Sequence, residues 1–114
     1  MKLVIAYIQP EKLADVKQAL FDVDITKISL ITNALGCGSQ KGFVEEYRGV
    51  SVEVNLRMKV RLEIAVNEDY LEKCVGAIIK GAHTGSPHDG KIFVVELAEC
   101  IRISSGERGR LAVG

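Results

Sequence analysis

Residues 84–91 read Thr84-Gly85-Ser86-Pro87-His88-Asp89-Gly90-Lys91. The glycines of this short run free the backbone to turn N–H groups toward an anion, and the lysine that follows adds a point charge. Such a combination suits a phosphate group. Two more cations stand near loop ends: Lys59, just after a long irregular segment, and Arg102, just beyond the last long apolar run. If both loops lie at the same sheet edge, Lys59, Lys91 and Arg102 converge. The alternative is a tight turn built on Gly85 and Gly90 with solvated lysines around it, because short glycine-rich loops are common.

Other chemistry finds weaker support. His83 and His88 are five residues apart, with no third ligand at useful spacing for a metal. His88 is better suited to lining a pocket or facing water. No serine–histidine–aspartate or cysteine–histidine arrangement is recognisable. Ser104-Ser105-Gly106 reads as a flexible tail, and Glu45-Glu46 as a solvated face. Cys37, Cys74 and Cys100 make an odd number without metal spacing. Cys74 fits an apolar helix face. Cys37 lies between two glycines and is open to reaction, although only Lys41 stands near it in sequence to favour the thiolate.

The elements that must hold these residues follow from periodicity. Residues 3–8 are apolar throughout, as in a central strand covered on both faces. Pro10 and Glu11 suit the first turn of a helix, and Leu13, Val16 and Leu20 continue its stripe. Residues 25–35 are rich in β-branched side chains and predict a second strand. Residues 36–57 lack a sustained core pattern and contain glycines at 36, 38, 42 and 49. Val50 to Val54 alternate, so this segment predicts a protruding hairpin arm; long irregular segments in compact domains are usually functional or mobile. In residues 58–66, Met58, Val60, Leu62, Ile64 and Val66 point one way, and Lys59, Arg61 and Glu63 the other. Asn67 is a good N-cap for a helix with the stripe Leu71, Cys74, Val75, Ile78, Ile79 and Ala82. Residues 91–98 predict another buried strand, a short strand runs through Ile101 and Ile103, and the tail from Ser104 to Gly114 is expected to be loose. The order is βαββαβ, the ferredoxin-like α+β arrangement, with both helices on one face of a four-stranded sheet. The other face, mixed in character, predicts a symmetric homo-oligomer.

The totals agree with one domain spanning residues 1–114. The chain is 47% apolar and 26% charged, ordinary for a globular protein. Fifteen basic and fifteen acidic residues cancel, which argues against broad binding to nucleic acid. No run of 18 apolar residues exists to span a membrane. The stretch after Met1-Lys2 reads as a mature cytosolic strand, since Gln9-Pro10-Glu11-Lys12 follows it without a small-residue cleavage site.

Nearly the whole chain resembles the PII signal-transduction proteins of nitrogen regulation. Lys12-Leu13-Ala14-Asp15-Val16 with Ala19-Leu20 is similar to that family's first helix. Residues 36–49, GCGSQKGFVEEYRG, resemble the entry to its long exposed T-loop, here about 37–56. Residues 84–94, TGSPHDGKIFV, resemble its phosphate-contacting B-loop, about 83–91, and Ile101-Arg102-Ile103 with Gly106-Glu107 resembles its C-terminal loop, which opens the stretch 101–114. The resemblance implies a homotrimer with a nucleotide in each cleft between neighbours, ATP competing with ADP, and 2-oxoglutarate bound beside ATP through magnesium. It implies phosphate contacts from Gly90, Lys91 and Arg102, with Thr84 and Asp89 in the same nucleotide-binding set, and a nucleoside site lined by Ser29, Gly36, Gly38 and Glu63. Gln40 would hold magnesium and 2-oxoglutarate, with Lys41 and Gly42 beside it, and Lys59 would pair with a carboxylate of the acid. The T-loop would dock on an ammonium channel, another transporter or an enzyme of nitrogen metabolism, so any membrane association would run through that partner. The location would be cytoplasmic, and no catalytic turnover is expected.

The departures are specific. The tyrosine that the family uridylylates falls at Val52, and the serine phosphorylated in some members at Val50; Ser51 matches neither. Ser39 replaces an arginine, His88 a glycine and Ser104 a second arginine. A charge-assisted hydrogen bond is worth roughly 1.5–3 kcal/mol, so each lost cation can weaken the hold on a triphosphate tenfold or more. These changes predict an altered nucleotide preference, toward ADP or AMP. The alternative function is a PII-like sensor of adenine nucleotides and another small ligand, without a 2-oxoglutarate response.

Overall fold

The structure is a computed structural model; it describes residues 1–37 and 56–114 in full and the backbone of 43–47 and 50–54. Strand β1 (Lys2–Ile8) leads through a 3-10 turn (Pro10–Lys12) into helix α1 (Leu13–Asp22). Strand β2 (Leu30–Cys37) follows, then β3 (Phe43–Tyr47) and β4 (Val50–Val54), which pair with each other as an antiparallel hairpin. Strand β5 (Leu56–Val66), helix α2 (Glu68–Ala82), strand β6 (Gly90–Glu96) and a short helix α3 (Arg110–Val113) complete the chain. The main sheet has the order β2-β5-β1-β6, and every neighbouring pair in it is antiparallel. This is the ferredoxin-like α+β fold, with the hairpin between its second and third sheet strands.

Alternation along the two central strands decides where the core lies. Val4, Ala6 and Ile8 of β1 and Val60, Leu62, Ile64 and Val66 of β5 are buried under Val16 and Leu20 of α1 and Cys74 and Ile78 of α2. The helices approach closely at Gly81, where a Cβ atom would stand 2.6 Å from the Cα of Val16. Leu3, Ile5 and Tyr7, with their cross-strand partners Ala65, Glu63 and Arg61, lie on the opposite face. There Arg61 donates to Glu63 (2.7 Å) and to the Tyr7 hydroxyl (2.6 Å), and Phe93 meets the Tyr7 ring edge-on.

Several expectations need correction. The second strand begins at Leu30, not at residue 25, because the Ile25 side chain is buried in the core while residues 25–29 cross to the sheet edge. Met58 is exposed, lying beyond the part of β5 that the helices cover, and Ala77 is buried in α2 where Ile79 was expected. Residues 90–96 form an edge strand, with Phe93, Val94 and Val95 about half exposed (50%, 47% and 45%). An apolar run does not distinguish a covered strand from an edge with no neighbour in its own subunit. Ile101 makes only an isolated bridge, to Arg108, and Ile103 is fully exposed.

The tail is anchored rather than loose. Arg110 forms a two-pronged ion pair with Asp69 at 2.8 and 3.0 Å, which holds the Asp69 carboxyl below its ordinary range. Asn67 occupies the N-cap position of α2 without a capping bond from its side chain, which donates instead to the carbonyl of Arg110 at 3.4 Å. Among the described residues, no helix is long and apolar enough to cross a membrane.

Candidate functional site

The antiparallel sheet gathers four strand ends at one edge. β1 ends there at Ile8, β2 ends at Gly36 and Cys37, β5 starts there, and β6 starts at Gly90 and Lys91. The loop from α2 to β6 arrives at the same place. Asp89 organises that loop. Its carboxylate accepts from the N–H of Thr84 (2.7 Å), the N–H of Gly85 (3.0 Å), the Thr84 hydroxyl (2.5 Å) and the amide of Gln9 (3.0 Å). These donors, led by Thr84, hold its carboxyl down to about 2. His83 Nδ1 lies 3.6 Å from the same carboxylate. The N–H groups of Ser86 and His88 donate to Thr84 Oγ1 and Ser86 Oγ, at 3.2 and 3.1 Å.

The N–H of Gly85 is therefore spent inside the loop and does not face outward. Gly85 and Gly90 both have positive φ, +89° and +111°. At Gly90 a side chain would collide with the carbonyl of Tyr7, so only glycine lets β6 begin beside β1. Lys91 follows directly, exposed at the edge. Lys59 reaches over the loop and donates to the carbonyl of His88 at 2.5 Å. Beside Lys91, Tyr7, Ile8, Ile78 and Ile79 line a groove of about 350 Å³ that His83 also borders.

Lys59, Lys91, Thr84, Asp89, Gly90 and Gly36 are thus brought to one edge. Ser29, Glu63 and Arg102 are not. Ser29 precedes β2 and its N–H donates to the carbonyl of Glu63 at 2.9 Å. Four residues of extended chain, about 13 Å, separate Glu63 from Lys59. Arg102 belongs to the far end of β6. Its turn is closed by Arg102 N–H to Glu107 (2.9 Å) and Gly106 N–H to Arg102 (2.8 Å), and its guanidinium donates to the carbonyl of Leu111 at 3.2 Å. The expected convergence of Arg102 with Lys59 and Lys91 does not occur within one chain, because β6 separates them by about 20 Å.

Gly38, Gln40, Lys41 and Gly42, together with Ser39, lie outside the described residues. Val52 lies in β4, opposite Glu45. Cys37 is exposed at the end of β2, whereas Cys74 is buried and its thiol is pushed up to about 11 by burial. Among the described residues, no group of three or more His, Cys, Asp or Glu could hold a metal ion. Gln9 and Arg57 do not stand out as site residues in the sequence, although their places just after β1 and near the start of β5 put them at the crowded edge.

Comparison with known proteins agrees with this fold. The family model described as nitrogen regulatory protein P-II matches residues 1–107. The nitrogen regulatory protein P-II of Klebsiella oxytoca is 45% identical over 113 residues, 99% of this chain and 100% of that protein. The nitrogen regulatory protein GlnK of Escherichia coli K12 is 42% identical over the same spans. A crystal structure of Arabidopsis thaliana PII bound to citrate superposes with a TM-score of 0.75 at 32% identity, covering 97% of this chain and 87% of that one. The chain belongs to the P-II family of nitrogen regulatory signal-transduction proteins.

Proposed function

We propose that this protein is a cytoplasmic, non-enzymatic sensor that binds ATP or ADP, and AMP to some extent, in clefts between the subunits of a homotrimer. The observation that carries this is that Ser29, Glu63 and Arg102 lie apart from the sheet end where the other candidate residues gather. Gly36, Lys59, Thr84, Asp89, Gly90 and Lys91 form one half-site; Ser29, Glu63 and Arg102 form the other. A neighbouring copy that laid its far end against the crowded edge would complete a pocket with phosphate-binding cations on both walls and a carboxylate for the nucleoside. The open sheet face and the uncovered β6 edge supply apolar area for such an association.

In this proposal Gly38 joins the nucleoside site. Magnesium accompanies the triphosphate, with Gln40 as its protein ligand, and 2-oxoglutarate binds next to it beside Lys41 and Gly42. Lys59 would give up the His88 carbonyl to pair with the acid. The cations of the described edge suit phosphate and carboxylate groups rather than a bare metal. Residues 37–56 would carry the signal to a transporter, such as an ammonium channel, or to an enzyme of nitrogen metabolism, through ligand-dependent ordering. Val52, at the usual tyrosine position, leaves no uridylylation site there.

A second proposal, favoured by Ser39, His88 and Ser104, is a sensor of ADP or AMP with another small ligand and no 2-oxoglutarate response. Calorimetry with ATP, ADP and AMP, followed by 2-oxoglutarate with magnesium-ATP, separates the two. Binding of 2-oxoglutarate only with magnesium-ATP supports the first. ADP or AMP binding without any 2-oxoglutarate heat supports the second, and silence toward all nucleotides defeats both.

A further inference from the structure

His88 stands at the cationic edge with a ring nitrogen that has no hydrogen-bond partner. Its Nδ1 is shut off from solvent and makes no hydrogen bond, the one such side-chain atom among the described residues. Buried polar atoms are ordinarily paired, so an unpaired ring nitrogen on a side chain that feels the charges of Arg57 and Lys59 has hydrogen-bonding capacity to spare for a ligand. The backbone of His88 is held on both sides: its N–H donates to Ser86 Oγ at 3.1 Å and its carbonyl accepts from Lys59 at 2.5 Å. The ring therefore cannot drift far from Lys59. The charged groups that act on it are Arg57 and Lys59 from β5 and Asp89 from its own loop. Asp89 is already engaged by Thr84, Gly85 and Gln9.

We propose that the imidazole of His88 is a phosphate contact of the nucleotide site and takes up one proton from solvent when the phosphate binds. This rests on the nucleotide binding proposed above. In the empty site, burial first, then Arg57 and Lys59, hold the ring below the ordinary basicity of histidine, and Asp89 offsets only part of this. The ring is then neutral near pH 7. A phosphate with two or more negative charges reverses the balance. A ring nitrogen takes a proton from a solvent or buffer acid, which is left as its conjugate base, and the new imidazolium donates to a phosphate oxygen. His88 then supplies a positive charge on demand in a site that Ser39 and Ser104 leave short of arginines.

The sign follows directly. The pKa of His88 is depressed in the free protein and raised in the complex, so affinity grows as pH falls through the bound-state value. The gain stops below the free-state value. Each unit between the two is a tenfold gain in affinity.

The test uses the full chain and ADP, titrated by calorimetry at about pH 6 and about pH 8 in buffers of different ionisation enthalpy, alongside His88→Asn. A thermal melt checks that the variant is folded. ADP titrates as well, and the variant removes that part by subtraction. The expected result is a net proton uptake in the parent that the variant lacks, with an affinity ratio between the two pH values at least several-fold larger in the parent. Ring NMR signals give an independent readout. The His88 midpoint should lie below the ordinary histidine value without ligand and rise by a unit or more with ADP. Binding with the same pH slope in both proteins, or an unmoved His88 midpoint, overturns the role of His88 and leaves nucleotide binding standing. No ADP binding by either protein at any pH removes both.

Discussion

Gly90→Ala puts the geometry of the candidate site under direct stress. At Gly90 φ is +111°, and an added Cβ would stand 1.7 Å from the carbonyl oxygen of Tyr7. An ordinary carbon–oxygen contact is about 3.3 Å. The start of β6 must therefore move away from β1, and the pairing of Gly90 with Ile8 and of Lys91 with Tyr7 moves with it. Backbone strain of this kind costs about 1–3 kcal/mol, and relief of a steric overlap in a packed site about 1–3 kcal/mol more. The sum, about 2–6 kcal/mol, corresponds to a fall in melting temperature of about 10 °C or more in a domain of this size. Gly85→Ala is the comparator from the same loop. Its φ of +89° is also unfavourable, but nothing lies within 4 Å of its added Cβ, so it bears the strain without the collision. Urea and thermal unfolding at equal protein concentration should rank parent, Gly85→Ala and Gly90→Ala in falling order of stability. A Gly90→Ala protein that melts at or above Gly85→Ala would refute the view that the carbonyl of Tyr7 dictates glycine at this position.

Further outcomes follow from single features. In α2, Gly76→Ala meets open space on the exposed side and should stabilise by about 0.5–1 kcal/mol in urea melts, while Gly81→Ala drives a methyl against Val16 and should destabilise by about 1–3 kcal/mol. Asp89 has its carboxyl held down to about 2 against an ordinary 3.8. Its contribution to stability is present above the ordinary value and drains away as pH falls toward about 2; the stability gap between the parent and Asp89→Asn should close over that window, and a gap independent of pH there would count against the loop network. Native protein treated with a thiol reagent should label Cys37 quickly, whereas Cys74, buried and with its thiol near 11, should stay silent until the chain unfolds.

The fold was legible because two patterns in the sequence have single physical meanings. Strict alternation in β5 and a long 3.6-residue stripe in α2 fix which faces meet, and the βαββαβ order then leaves few topologies. The loop at 84–91 was legible as a special turn because glycine and aspartate have narrow conformational uses. Its internal wiring was not. Periodicity says nothing about which N–H a carboxylate will capture, so the loss of the Gly85 donor to Asp89 could not be foreseen. Strand β6 misled for another reason: an apolar run reports that burial is required, not which chain provides it. The distance of Arg102 from Lys91 was hidden because local sequence does not say at which end of a strand a later loop returns. The tail was misjudged since a two-pronged pair such as Arg110 with Asp69 joins residues 41 apart, beyond the reach of any local pattern.

The uncovered edge and face bear on how this protein must be handled. Phe93 and Val95 stand about half in water beside an edge strand that can accept another strand. Wherever a second copy of the chain covers that surface, folding and assembly become one mass-action equilibrium. Dilution then acts as a denaturant. The melting temperature rises with protein concentration, a variant can look weak only because it was measured too dilute, and a cell that makes less of the protein also makes it less stable.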